Sequence, residues 1–211
     1  NLLGGGIRIG GERVFVAEAC EYTGSFLHMH PTIAVVLNIE EDHLDYYKDI
    51  EHIEEAFCNF CSLLPPDGLV IGWGDDPRVR RLLTRVDRRH ETFGYTADSD
   101  WYPENLEMGD LGKYSFDVMH RGQKVAHAAL NVPGRFNVVN SLAALASAHA
   151  LGADMEKAAA SLSVFTGAHR RFEHTGDVDG GHLYHDYGHN PTEMRNRSEE
   201  RRVGKECRSR W

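Results

Sequence analysis

One stretch constrains the fold more than any other: an apolar run that ends abruptly in a cluster of acids. Residues 33–37 are all aliphatic, which is the composition of a short buried strand. Shortly after them come three consecutive carboxylates, Glu40 to Asp42, and then His43. Open α/β sheets build ligand sites at the carboxyl ends of their strands. The pattern therefore predicts a buried strand that delivers His43 to a site.

A second stretch repeats this arrangement nearer the start of the chain. Residues 14–17 are predicted to form a short buried strand, and they are followed by Glu18 and Glu21. Two such strands in succession favour neighbouring parallel strands that place Glu18 and His43 in one crevice. For the two acids taken alone, an ordinary solvated strand end remains an open alternative.

The remaining chain alternates strand and helix patterns. The expected strands are residues 69–72, 92–95 and 182–187, and the expected helices are residues 49–64, 78–88, 133–150 and 155–163. Residues 114–118 and 124–130 flank a turn and predict an antiparallel hairpin at the edge of the sheet. The predicted fold class is therefore α/β, a mostly parallel sheet flanked by helices with an antiparallel edge hairpin.

Polar side chains near two helix ends are candidate ligand contacts. Asn137 and Asn140 are three residues apart, so both are expected on one face near a helix start, where two amides suit a purine edge. An ordinary N-cap remains the alternative for Asn137. Arg170 and Arg171 follow another helix, and their guanidinium forks match phosphate oxygens, although a surface basic pair is equally consistent with the spacing.

Composition excludes several classes of protein. The chain has 211 residues, 41% of them hydrophobic, which suffices for one α/β core or for a domain plus part of another. The net charge of −9 argues against general nucleic-acid binding. Its four cysteines form no disulfide framework, so we expect a cytoplasmic protein, and Cys58 and Cys61 are predicted to be packed helix residues rather than zinc ligands. No apolar stretch approaches the roughly 20 residues needed to span a membrane.

Several motifs occur in an order that resembles the Mur ligase family. They are Glu18-Ala19-Cys20-Glu21-Tyr22 with Ser25-Phe26-Leu27, Asn38-Ile39-Glu40-Glu41-Asp42-His43-Leu44-Asp45, Pro133-Gly134-Arg135-Phe136-Asn137-Val138-Val139-Asn140, Gly167 with Arg170-Arg171-Phe172-Glu173, and Asp186-Tyr187-Gly188-His189-Asn190-Pro191-Thr192-Glu193. The resemblance implies that residues 1–177 form the family's central ATP-binding domain, which is P-loop-like. Residues 178–196 would begin a C-terminal Rossmann-like domain with its first strand. Residues 197–211 resemble a translated sequencing adapter, so we exclude them from fold reasoning and reject a nucleic-acid role for them.

The resemblance also implies a reaction and a set of site residues. ATP would phosphorylate the carboxylate of UDP-N-acetylmuramate, and the amine of L-alanine would attack the acyl phosphate, with Mg²⁺ neutralising charge. Glu18 and His43 are the implied magnesium ligands and, with Arg171, the implied catalytic residues. The remaining implied contacts are Asn137 and Asn140 with the adenine end, Arg171 with phosphate, Asp186 with the ATP ribose, and His189 near both substrates at the domain junction.

The chain departs from the family pattern at a few points. The phosphate loop ending in Gly-Lys-Thr/Ser would lie before Asn1, and Phe136 and Asn190 stand where histidine is common. We therefore expect a central-domain fragment that does not catalyse alone.

Two other functions remain open from the sequence. One is a sibling ligase that joins a preformed tripeptide to UDP-N-acetylmuramate in murein peptide recycling. The other is a metal-binding protein that uses the 13 histidines, of which His28 and His30 form the nearest pair.

Overall fold

The computed structural model of the protein describes residues 10–171 and 173–188. The predictions for His189, for the end of the second domain and for the 197–211 tail lie outside the described residues. Within them, no helix is both long enough and apolar enough to cross a bilayer.

Six strands form the main sheet and lie side by side in chain order. They are β1 (Ile33–Val36), β2 (Leu69–Trp73), β3 (Arg89–Phe93), β4 (Trp101–Met108), β5 (Lys113–His120) and β6 (Gln123–Pro133). Neighbours from β1 to β4 are parallel, whereas β5 is antiparallel to both β4 and β6. The predicted α/β class is confirmed, with the hairpin at one edge of the sheet.

Helices cover both faces of this sheet. They are α1 (Ile50–Ser62), α2 (Pro77–Arg85), α3 (Phe136–Ala150) and α4 (Met155–Leu162). Because side chains alternate along a strand, Val70 of β2 packs with α1 and α2, while Ile71 packs with α3 and α4. Gly72 allows α2 to approach closely, since a Cβ there would lie 2.8 Å from Val79. Two apolar cores result, one on each face.

The strand predicted at residues 14–17 is wrong. These residues adopt no regular structure, and Phe15 is 91% exposed. An apolar run forms a strand only when a neighbour satisfies its backbone hydrogen bonds, and no strand of the described part of the chain pairs with it. The sequence also missed β4, because Pro103 and the acids of this strand are unusual in a sheet interior.

A separate two-stranded sheet follows α4. It consists of β7 (Glu173–Val178) and β8 (Gly181–His185), which pair antiparallel. The strand expected at residues 182–187 is confirmed as β8, although β7 was missed. Whether this hairpin begins a second domain stays a prediction.

Candidate functional site

The loop after β1 is attached to the loop after β2. The backbone N–H of Ile39 donates to Oδ2 of Asp76 at 3.4 Å, and the Arg78 guanidinium donates to the Ile39 carbonyl at 3.4 Å. Asp76 is the N-cap of α2, where Oδ1 accepts from the N–H groups of Arg78 and Val79. One buried carboxylate thus joins the carboxyl ends of two parallel strands, which is the edge predicted to carry the site.

His43 lies in this loop with an unusual backbone. Its φ is +52°, in the left-handed region that non-glycine residues rarely adopt. Its carbonyl accepts from the N–H groups of Tyr46 and Tyr47, each at 2.9 Å, and its own N–H donates to Asp42 Oδ1 at 2.7 Å. These contacts compensate for the strained conformation and hold the His43 backbone in place.

Two carboxylates approach the imidazole: Asp42 Oδ1 lies 3.9 Å from His43 Nδ1, and that of Glu21 is nearer. His43 Nε2 lies 3.5 Å from Glu21 Oε1, and both side chains are about two-thirds buried, with 31% and 35% exposed. The Tyr22 ring lies against the imidazole, tilted by 30°, with centroids 4.5 Å apart. Sequence reasoning paired Glu18 with His43. The structure instead leaves Glu18 exposed, and no hydrogen bond or ion pair joins these two residues of the described chain.

Packing explains why Glu21 reaches His43. Phe26, 2% exposed, stacks on Phe60 of α1 with centroids 4.8 Å apart, which anchors the 3₁₀ segment Tyr22–His28. The Tyr22 hydroxyl donates to Asp45 Oδ2 at 2.8 Å, a bond that raises the pKa of Tyr22. The Tyr47 hydroxyl donates to the Glu21 carbonyl. The segment is therefore held against the His43 loop from several directions.

The paired asparagines lie where the sequence predicted, at the start of α3. Asn137 Nδ2 donates to the Pro133 carbonyl at 2.6 Å, and Asn140 Nδ2 donates to Asn137 Oδ1 at 3.3 Å. The prediction that both amides share one face is confirmed. The N-cap alternative for Asn137 is wrong, since Arg135 occupies that position.

Tyr95 connects the start of α3 to the same edge of the sheet. Its N–H donates to Asp75 Oδ2 at 2.8 Å, in the turn that precedes α2, and its hydroxyl donates to the Arg135 carbonyl at 3.0 Å. The Arg135 guanidinium lies 4.6 Å from the ring centroid. A chain of contacts thus runs from the His43 loop through Asp76 and Asp75 to α3. No local pattern singled out Tyr95, because its partners are distant in the chain.

The segments of Arg171 and Asp186 lie side by side. The Tyr187 N–H donates to the Arg170 carbonyl at 2.7 Å, and Asp186 Oδ1 accepts from the Gly188 N–H at 2.7 Å. The Arg170 N–H donates to Glu173, which lowers the pKa of that carboxyl. Two residues assigned separately to phosphate and ribose are therefore brought into one region.

That region also lies beside the start of α3. A Cβ at Gly167, whose φ is +98°, would lie 3.6 Å from Val132 near the end of β6. Val132 directly precedes Pro133, whose carbonyl holds Asn137. The loop that carries Arg170 and Arg171 therefore begins beside the end of β6, the strand that precedes α3. His189, the last predicted site residue, is outside the described residues.

The helix cysteines are packed, as predicted. Cys58 and Cys61 are free thiols with 7% and 0% exposure. Burial raises the pKa of Cys61 to about 12, which leaves its thiol protonated and unreactive at neutral pH.

The chain matches known proteins along most of its length. The Mur ligase middle domain matches residues 9–148. A UDP-N-acetylmuramate–L-alanine ligase from Caldanaerobacter subterraneus subsp. tengcongensis is 42% identical over 192 residues, which is 91% of this chain and 42% of that protein. The chain therefore spans less than half the length of this relative.

Solved structures show the same fold. The UDP-N-acetylmuramate–alanine ligase MurC from Thermotoga maritima aligns with a TM-score of 0.70 at 26% identity, covering 85% of this chain and 40% of that one. The UDP-N-acetylmuramate:L-alanyl-γ-D-glutamyl-meso-diaminopimelate ligase from Neisseria meningitides aligns with a TM-score of 0.60 at 29% identity, covering 69% and 44%.

Proposed function

We propose a function from the premise that this chain belongs to the Mur ligase family: it supplies the ATP-handling part of a ligase that joins L-alanine to UDP-N-acetylmuramate. The observation that carries the proposal is the match to an alanine-adding ligase along 91% of the chain. The site geometry supports it, because the His43 loop and the start of α3 are linked along the carboxyl edge of the parallel strands. We place the reaction in the cytoplasm, in keeping with the free thiols of Cys20, Cys58 and Cys61.

The proposed chemistry proceeds in two steps. An oxygen of the muramate carboxylate attacks the γ-phosphorus of ATP, the bond to the bridging oxygen breaks, and ADP leaves. The neutral amine of L-alanine then attacks the acyl carbon, and the tetrahedral adduct loses a proton and expels phosphate to give the amide. Both steps depend on positioning and on neutralising phosphoryl charge, since the protein forms no covalent bond itself.

The donors around His43 fit a hard cation such as Mg²⁺. We assign His43 as a ligand of one such ion and Glu18 as a ligand of another, and Glu21 and Asp42 add carboxylate oxygens beside the imidazole. Magnesium prefers oxygen and retains several waters, which suits partly exposed carboxylates. Mg²⁺, when bound, would neutralise negative charge on the transferring phosphoryl group.

Other residues of the chain would bind the nucleotide. We assign the adjoining amides of Asn137 and Asn140 to the purine edge, Arg171 to phosphate and Asp186 to the ribose. The structure supports a common role for the last two through the backbone contact between Arg170 and Tyr187. His189 is assigned by resemblance alone, near both substrates.

A direct test measures ligation by the product of the gene that encodes this chain. We expect ADP release that requires both UDP-N-acetylmuramate and L-alanine. Glu18→Ala and His43→Ala should each abolish turnover while circular dichroism stays unchanged, because each removes an assigned ligand. Glu41→Ala is the matched control, since Glu41 is an exposed acid close to His43 in the same loop, and it should retain activity.

The choice of amine separates this proposal from the sibling function. Turnover with the tripeptide L-alanyl-γ-D-glutamyl-meso-diaminopimelate in place of L-alanine would identify a recycling ligase. Near-normal turnover of either His43→Ala or Glu18→Ala would refute the assigned site, whichever amine is used.

A further inference from the structure

Three potential metal ligands meet on the β7–β8 hairpin. His174 Nε2 lies 3.0 Å from Asp177 Oδ1, and His182 Nδ1 contacts the same oxygen. One nitrogen from each histidine and one oxygen of Asp177 all lie within 4.8 Å of one another. Among the described residues, this is the one group of three or more His, Cys, Asp or Glu side chains whose ligand atoms lie close enough together to hold a metal ion. Sequence reasoning missed it, since it looked for histidines at short regular intervals.

An irregularity in β7 creates the cluster. In a regular strand, residues three apart point to opposite faces of the sheet. The register between β7 and β8 shifts between His174 and Gly176, so an extra residue in β7 allows His174 and Asp177 to share one face. His182 lies directly opposite Asp177 in β8 and completes the group. The ligands therefore come from both strands.

A simple exposed ion pair looks different, and the chain contains one for comparison. In β5 and β6, His127 Nδ1 lies 2.8 Å from Asp117 Oδ1, and the neighbour of that carboxylate is the Lys124 ammonium at 2.7 Å. A protonated amine cannot bind a metal ion, so that site offers one nitrogen ligand. The hairpin offers two imidazoles around one carboxylate.

We propose that His174, Asp177 and His182 bind a divalent first-row transition ion of the zinc type, with water in the fourth position. Two imidazole nitrogens and one carboxylate oxygen are a ligand set that zinc accepts in tetrahedral geometry. Neighbouring ligands in such a site lie about 3.3 Å apart, which small rotations of exposed side chains achieve.

The bound ion would clamp the hairpin. An isolated two-stranded sheet is only marginally stable in water, and the side chains of β8 are exposed. Ligands from both strands cross-link β7 to β8 on the approach to Asp186. The site differs chemically from the proposed Mg²⁺ position, which is rich in carboxylates.

The test titrates the full chain with Zn²⁺ against a chromophoric chelator. Wild-type protein should bind one equivalent of Zn²⁺. His174→Gln and His182→Gln should each lower the affinity for this equivalent by about tenfold or more, since each removes a ligand. His127→Gln is the matched control and should leave that equivalent unchanged. Co²⁺ should give the visible absorption of a tetrahedral site in wild type and lose it in the two ligand variants.

Amide hydrogen exchange provides a second measurement. Zn²⁺ should slow exchange in β7 and β8 of the wild type and of His127→Gln, but not of His182→Gln. Equal Zn²⁺ affinity and stoichiometry in wild type and both ligand variants would overturn the proposal. The proposal would also be overturned if Zn²⁺ left the rate of amide exchange in β7 and β8 of the wild type unchanged.

Discussion

Replacing Asp76 by alanine should destabilise the protein and loosen the His43 loop together. Asp76 is 8% exposed and performs two tasks with one carboxylate. Its Oδ1 caps α2 by accepting from two backbone N–H groups at 2.7 and 3.2 Å. Its Oδ2 accepts from the N–H of Ile39, a residue that is 1% exposed.

The magnitude follows from these contacts. Loss of an N-cap costs about 0.5–2 kcal/mol of unfolding free energy. A buried N–H left without a partner adds about 1–3 kcal/mol, and the 3.4 Å length of the Ile39 bond favours the lower end. We expect a total of about 2–3 kcal/mol, which corresponds to a Tm lowered by roughly 4–12 °C for a chain of this size.

Asp154→Ala is the matched control. Asp154 caps α4 through the Lys157 N–H alone, at 3.1 Å on the surface, so its loss should cost about 1 kcal/mol. Asp76→Ser should fall between the two, because serine retains the cap but is too short to reach Ile39. Urea unfolding gives the free energies, and hydrogen exchange at the Ile39 amide reports on the loop.

The reasoning has a clear point of failure. If Asp76→Ala costs no more than Asp154→Ala, and exchange at the Ile39 amide is the same as in wild type, then Asp76 does not join the two loops. The coupling between the ends of β1 and β2 would then have another origin.

Three further predictions concern the core and its titratable groups. Burial lowers the pKa of His120 from 6.5, so the free energy of unfolding should fall as pH drops below that value, where the unfolded chain takes up the proton. Urea unfolding measured from pH 5 to 7 should show a weaker dependence of this free energy on pH for His120→Gln. An unchanged pH dependence would contradict the assignment of the effect to His120. Brief thiol labelling followed by mass spectrometry should modify exposed Cys20 in the native protein and buried Cys61 only after unfolding; early labelling of Cys61 would show that its helix opens. Leu142→Ala should cost about 2–5 kcal/mol in urea unfolding, because Leu142 is 0% exposed, whereas Leu44→Ala, at 57% exposure, should change stability by less than about 0.5 kcal/mol.

The sequence was sufficient where the information is local. Apolar spacing predicted α1 and α4, and a run of aliphatic residues predicted β1, because helix and strand periods depend on neighbouring residues. Local spacing also predicted that Asn137 and Asn140, three residues apart on a helix, share one face. It also placed His43 at the end of a buried strand.

Tertiary structure decided what depends on distant partners. The apolar residues 14–17 lack a neighbouring strand, so their pattern misled the prediction. Glu21, rather than Glu18, approaches His43 because Phe26 packs on α1 and fixes the segment between them. Tyr95 joins two loops far apart in sequence.

The hairpin shows the same division most directly. The sequence contained His174, Asp177 and His182, but nothing in their spacing indicated a common site. The register shift in β7 and its pairing with β8 brought them together. Local patterns determine which elements form, whereas pairing register and packing between elements determine which side chains meet, because those contacts exist only after the chain has folded.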